Sequence, residues 1–196
     1  MRGFWAIAPI LLIGCSPVAT PEVKQYNLDR LSTKRIAKHA TIKTLFVAAP
    51  KAASGYERED MIYVKQPYML NAFAKNEWVA PPAEMLTPVL VQSLQNTGYF
   101  RAVVAAPYSG KTNYRLNTTL IELNQNFMKQ PSETHITVKV DLVNVDKNII
   151  IATKRFHEKQ STVSNTPYGG VIAANQACQR LMTRLSTFVV NVVKNR

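Results

Sequence analysis

Acidic residues are scarce in this sequence: 12 Asp and Glu stand against 24 Lys and Arg, a formal charge of +12 over 196 residues. Such a balance suits an anionic partner, whether nucleic acid, lipid head groups or an acidic protein. Scattered cations that only keep a surface solvated give the same count. Cysteine is scarcer still, with Cys15 and Cys178 alone, too few for a disulfide framework. Histidine is limited to His39, His135 and His157, far apart in the chain. His135 and His157 fall on neighbouring predicted strands, but no close-spaced carboxylate or Cys completes a metal set. A phosphate-cradling Gly-x-x-x-x-Gly-Lys loop is missing, which leaves no P-loop ATPase signature. Ser54-Gly55 and Ser109-Gly110 are loop pairs with no nucleophile elbow around them. The expectation is a protein that is not an enzyme, with no cofactor, no metal and no catalytic residue. Repeats and low-complexity tracts are also missing. The apolar run from Phe4 to Ile13 spans roughly 15 Å as a helix, half of the ~30 Å hydrocarbon core that a spanning helix must cross.

What is present begins with that short run. Arg2 precedes it, and it ends in Leu12-Ile13-Gly14-Cys15. A charged start, a short apolar centre and small residues before a cut site read as a secretory signal. Leu-x-Gly-Cys resembles the bacterial lipobox, in which the Cys thiol is acylated, the chain is cut before it, and the new amine is acylated too. An uncleaved anchor or an ordinary core cysteine are the alternatives. Position, Gly14 and the polar, Pro-containing sequence that follows favour lipidation of Cys15. Residues 1–14 are then a signal peptide and 15–24 a lipidated Cys with a flexible tether. Residues 25–196 form a single domain. One myristoyl chain holds a protein only marginally, at about 0.8 kcal/mol per methylene, whereas two or three chains on one Cys hold it almost permanently. Ser16 rather than Asp follows the Cys, which favours the outer membrane by resemblance to enteric sorting signals. The mature chain of 182 residues keeps a charge of +11. An exported protein rarely meets nucleic acid, so anionic phospholipid or an acidic partner fits better. Cys178 is left without an intramolecular partner, on the apolar stripe of a predicted helix, and a buried thiol is expected.

Along the chain, Gln25–Leu31 reads as a first strand. Lys34, Arg35, Lys38 and Lys43 form a basic cluster around His39 that either touches head groups or is a solvated loop. Ile42–Val47 is a buried strand, 52–60 a loop, Met61–Lys65 a strand, and Tyr68–Phe73 its neighbour. Pro81-Pro82 opens a helix, because a first-turn proline gives up an N–H that has no partner anyway. Met85, Leu86, Val89, Leu90 and Leu94 share one face, and Gly98 supplies the left-handed C-terminal residue. Pro88 implies a kink or a later start. Arg101–Val104 is a short strand. Tyr114, Leu116, Thr118 and Leu120 alternate, then the phase slips to Ile121 and Leu123, as a bulge causes. Ile136, Val138, Val140 and Leu142 mark a half-buried antiparallel strand. Asp146-Lys147-Asn148 turns the chain and Ile149–Lys159 returns. Asn165 or Thr166 caps the last helix. Its stripe is Val171, Ala174, Cys178, Leu181, Leu185, Phe188 and Val192, a core face rather than a coiled coil. The fold class is α+β: one mixed or antiparallel sheet with two main helices packed on one face.

Met61-Ile62-Tyr63, Trp78, Pro81-Pro82, Met85-Leu86, Leu90, Leu94, Gly98-Tyr99-Phe100 and Val103, in that order after a lipobox, resemble the ABC-type transport auxiliary lipoproteins. These are the PqiC-like proteins found beside MCE-domain (mammalian cell entry) lipid transporters. The meander from Tyr114 and the Ala-rich final helix continue the match over about residues 25–193. Its signature positions here are Tyr63, Trp78, Pro81, Pro82, Gly98 and Phe100. Two departures are Asn71-Ala72-Phe73, where members often carry paired aromatics, and Val64, where an Arg often stands. The resemblance implies a non-catalytic accessory lipoprotein on the periplasmic face of the outer membrane, docking or capping a periplasmic conduit. The conduit is an MCE protein served by an inner-membrane permease and ATPase. Phospholipid and a homo-oligomer are compatible with this. The alternative is a scaffold or pilot lipoprotein for another envelope machine. Trp78 is expected to pack on the start of the helix that follows it.

Overall fold

A computed structural model of the chain describes residues 22–195. The expected signal peptide, Cys15 and the expected tether as far as residue 21 lie outside the described residues.

The alternating Tyr114-x-Leu116-x-Thr118-x-Leu120 pattern builds β7 (Tyr114–Asn126), the strand on which the sheet is assembled. Its 13 residues exceed the usual five or six, and its two edges are used differently. One edge takes β8 (Glu133–Asn144) antiparallel along its whole length, and β9 (Ile149–Ser161) follows β8 in the same sense. The other edge takes three short parallel strands in succession. These are β2 (Thr44–Val47) at 114–116, β3 (Lys51–Ala52) at 119–120 and β4 (Asp60–Val64) at 124–126. Outside β2 lies β6 (Ala102–Ala105), parallel. Outside β4 lies β5 (Asn71–Trp78), antiparallel, and then β1 (Lys24–Tyr26), parallel to β5. The sheet is mixed and nine-stranded.

Helix α1 (Pro82–Asn96) and helix α2 (Pro167–Lys194) contact each other, and both contact β7. Leu45, Leu116, Leu120, Ile136, Val138, Val140 and Leu142 are fully buried in one core with Leu86, Leu90, Leu94, Leu181 and Leu185 from the helices. The α+β class with both helices on one face therefore holds. The slip of phase in β7 is a bulge between Leu120 and Glu122. Thr166 caps α2, its hydroxyl accepting from Gly169 N at 3.1 Å. No helix among the described residues is long and apolar enough to cross a membrane.

Four expectations are corrected. The first strand stops at Tyr26, because α2 takes over its backbone: Asn175 Oδ1 accepts from Asp29 N and Arg30 N, and Asn175 Nδ2 donates to Asn27 O. The strand expected at 68–73 is Asn71–Trp78 instead. Tyr68 is in the preceding turn with φ of 66°, β4 pairs with Asn71, Ala72 and Glu77, and β1 extends the pairing to Trp78. Ala52, expected to open a loop, instead belongs to a two-residue strand with Lys51 on β7. In α2 the stripe drifts: Val189 and Val193 are fully buried, whereas Phe188 and Val192 are half-buried. A straight helix of 3.6 residues per turn rotates about 20° per heptad away from a 3.5 repeat. As for Pro88, α1 starts at Pro82 and runs through it, with the ring on the exposed face.

The long strands give the molecule two ends. At one, the loop end, lie the β4–β5 turn (65–70), the β7–β8 turn (127–132) and the β9–α2 junction (162–166). At the other lie the β8–β9 turn (145–148) and the C-terminus of α2.

Candidate functional site

Two polar features emerge from this frame, one on each face of the sheet. On the helix face, β9 and α2 run beside each other with the segment around Lys34 alongside. Glu158 of β9 receives two arginines from successive turns of α2: Arg180 Nε lies 3.3 Å from its carboxylate, and Arg184 Nη1 is ion-paired to it as well. Arg180 Nη2 also donates to Lys159 O at 2.7 Å and Arg184 Nη1 to His157 O at 3.3 Å. These bonds cover carbonyls of β9, a use of cations that discourages further strand pairing. Towards the far end, Lys154 Nζ sits 5.4 Å above the Phe156 ring and 5.1 Å above Phe188. The two rings meet edge-on at 5.7 Å. Adjoining hollows of about 440 and 380 Å³ share Lys34, Thr183 and Arg184 in their walls. Together they make a groove with four cations, one carboxylate and an aromatic floor. It can hold an anionic group, with Lys and Arg providing charge-assisted donors and the rings a surface for an apolar attachment.

On the other face, the bulge in β7 turns Glu122 outward to meet β8 and β9. Glu122 Oε2 accepts from Thr137 Oγ1 at 2.9 Å and Oε1 from Asn124 Nδ2 at 3.1 Å, while His135 Nδ1 stands 3.7 Å from Oε1. The neighbouring His135 imidazole, then the Thr137 and Asn124 donors, hold its carboxyl at about 2 against the opposing cost of burial. His157 Nδ1 lies 2.7 Å from Thr137 Oγ1, and His135 Nε2 lies 3.3 Å from Glu133. Asn124 Nδ2 also donates to Tyr56 Oη at 3.0 Å. His135 and His157 thus do lie on neighbouring strands, with ring centroids 5.6 Å apart. Contrary to the sequence reading, two carboxylates come close to them. Glu122 is 13 residues from His135 and reaches it only across the β7–β8 pairing, whereas Glu133 stands two residues before His135 on the same strand. No group among the described residues is arranged to hold a metal ion.

The signature positions are structural. Tyr63 packs against Phe73 at 4.5 Å and edge-on to Phe127 at 6.0 Å. Trp78 is buried and shares a small void with Met61, Leu123, Gly170 and Ala174, which places it near the first turns of α2. Pro81 and Pro82 start α1, with Pro81 O accepting from Glu84 N at 2.9 Å and Met85 N at 3.2 Å. Gly98 has φ of 67°, and a Cβ there would stand 3.0 Å from Ala37 O. Phe100 is buried edge-on to Tyr99. Cys178 is fully buried, and burial pushes its thiol up to about 12. The basic cluster Lys34–Lys43 meets the C-terminus of α1, with Ile36 N and Ala37 N both donating to Thr97 O. It therefore lies towards the far end, while β1 enters the sheet from the loop end.

An open mixed sheet with one helical layer defines the class by fold alone. The model of the family described as ABC-type transport auxiliary lipoprotein component matches residues 26–186, and the chain belongs to that family. No curated protein matches the sequence. Among solved structures, a Xanthomonas campestris protein of the DUF330 family is similar at 18% identity and a TM-score of 0.72, over 90% of this chain and 94% of that one. An uncharacterized protein is similar at 15% identity and 0.67, over 86% and 99%. A hypothetical protein of Chlamydia trachomatis is similar at 9% identity and 0.55, over 80% and 100%. These likenesses establish the fold.

Proposed function

We propose that this chain is acylated at Cys15 and held on the periplasmic face of the outer membrane. There it acts as a non-catalytic accessory of an ABC-type phospholipid transport system, docking the MCE protein that forms the conduit. Membership of a family of auxiliary transport lipoproteins supports the general role. The structural observation that carries the docking is the placement of charge. The chain enters at the loop end, whereas Lys34, Lys154 and the cluster up to Lys43 line the middle and far end, with Arg180 and Arg184 held on Glu158 between. A domain anchored through Cys15 presents these cations away from its membrane, towards an acidic surface of the conduit.

The test is affinity purification of the lipoprotein from envelope membranes, comparing the native chain with Lys34→Glu/Lys154→Glu. Neither lysine is ion-paired to Glu158, and a thermal melt of the variant, which loses the Lys154 contact with the two rings, checks that the fold is kept. Loss of the MCE partner in the variant is the expected result. An MCE partner retained at full yield contradicts docking through the groove. Failure of the native chain to bring down any transporter component points to a scaffold for another machine.

A further inference from the structure

The loop end carries a set of exposed apolar side chains that the proposed docking does not use. Tyr68 is fully exposed, and Met69, Leu70, Met128 and Val163 are between 45% and 74% exposed. They come from all three loops of that end. The loops are held together from below: Phe127 N donates to Val64 O at 2.8 Å, Thr162 N donates to Ser132 O at 2.8 Å, and Tyr63, Phe73 and Phe127 pack ring on ring. Residues 64–76, 126–132 and 162–166 contain no Asp or Glu, while Lys65, Lys75 and Lys129 lie among them. The mixed-charge run 57–60 follows Gly55, which lies against the Leu70 side chain, and its Arg58 is ion-paired to Asp60 at 3.4 Å. Glu133, at the start of β8, is turned to His135. An apolar, aromatic tip with Lys65, Lys75 and Lys129 beside it is the composition that enters the interface of an anionic bilayer.

The path of the chain points the same way. β1 is parallel to β5 and Lys24 pairs with Asn76, so the residues before Lys24 approach from the Asn71 side. From Asn76 to Asn71 is about 17 Å at about 3.3 Å per residue. The nine residues from Cys15 to Lys24 reach at most about 30 Å. A membrane holding Cys15 is therefore within reach of Tyr68 without any change in the domain.

We infer that the loop end, with Tyr68, Met69 and Leu70 at its tip and Lys65 and Lys129 beside it, is a second membrane contact that inserts into the anionic phospholipid surface holding the anchor. The inference rests on the acylation of Cys15 proposed above. Its consequence is orientation. A single lipid anchor leaves a domain free to tumble, whereas two contacts on one side fix the far end, with its cations, towards the partner.

The test uses the full mature lipoprotein, its mass measured first and then reconstituted into phosphatidylethanolamine–phosphatidylglycerol vesicles. An environment-sensitive NBD dye is placed on Met69→Cys at the tip, or on Lys147→Cys at the opposite end. Acylation blocks Cys15 and burial protects Cys178, so only the new thiol is labelled. The expected result is a several-fold brighter, blue-shifted probe at position 69 that spin-labelled lipid quenches, with position 147 unchanged. An acylated protein whose probe at 69 remains as wet as that at 147 overturns this inference alone, and so does an equal response at both positions. A mature chain with a bare Cys15 overturns the anchor and this inference with it.

Discussion

Glu122 offers the most quantitative test of the polar cluster, through the variant Glu122→Gln and its dependence on pH. A carboxyl held at about 2 instead of its ordinary value ionises more readily in the folded state than in the unfolded one. The unfolded state therefore binds the proton first as pH falls, and stability drops wherever it does so. The contribution is complete above the unfolded value near 4.5 and is lost progressively between about 4.5 and 2. At about 1.4 kcal/mol per pKa unit, its ceiling is about 3 kcal/mol. The Glu122 side chain is 30% exposed, and water screens its partners, so about 1–2 kcal/mol is the better figure. The assay is urea unfolding of native and Glu122→Gln proteins at a series of pH values from about 7 to about 2.5. The native protein should lose about 1–2 kcal/mol more than the variant between about pH 5 and about pH 2.5. Other carboxylates titrate in both proteins and cancel in the difference. Parallel pH profiles would refute the geometry, because they would mean that His135, Thr137 and Asn124 do not favour the ionised form.

Leu181→Ala removes a fully buried side chain of α2 and should cost about 2–5 kcal/mol in urea unfolding, while Trp78→Ala should cost about 3–5 kcal/mol. Near-zero losses would show that these side chains do not fill the core. Gly169→Ala would put a Cβ 2.2 Å from Ser164 O. The overpacking should cost about 1–3 kcal/mol, and an unchanged melting temperature would show that the start of α2 adapts freely.

The elements that the sequence made legible are those in which one local pattern settles the structure. Within a helix Pro81-Pro82 fits only the first turn, and Gly98 fits the left-handed position just past the end. The alternation from Ile136 to Leu142 reads correctly because β8 is covered on a single face. What was not legible depends on partners distant in the chain. The strand expected through Leu31 ends at Tyr26 because of Asn175, almost 150 residues away, which satisfies the backbone that a neighbouring strand otherwise would. The strand through Trp78 carries no alternation, since its pairing with β1 and β4 rather than burial of one face makes it extended. The α2 stripe follows a heptad that a straight helix keeps for about four turns, from Val171 to Leu185, and leaves at Phe188.

The candidate sites divide along the same line, and the bulge at Ile121 shows why. It is visible in the sequence as a slip in the apolar phase, which alone signals a kink in a strand. Its chemical effect is visible only with the register in place. One extra residue lets Leu123 resume the core face, and it turns Glu122 towards Thr137 and both histidines. The same displacement keeps the hydrophobic layer continuous and makes the polar cluster on the reverse face. That cluster lies on the side of the sheet away from α2, and the cationic groove lies along α2 itself. Charge changes at Lys34 and Lys154 and proton binding at Glu122 therefore act on opposite faces, more than a sheet's thickness apart. Distant, independent sites add in free energy. Acid destabilisation measured in the Lys34→Glu/Lys154→Glu variant should accordingly retain the Glu122-dependent loss, even where partner docking is gone.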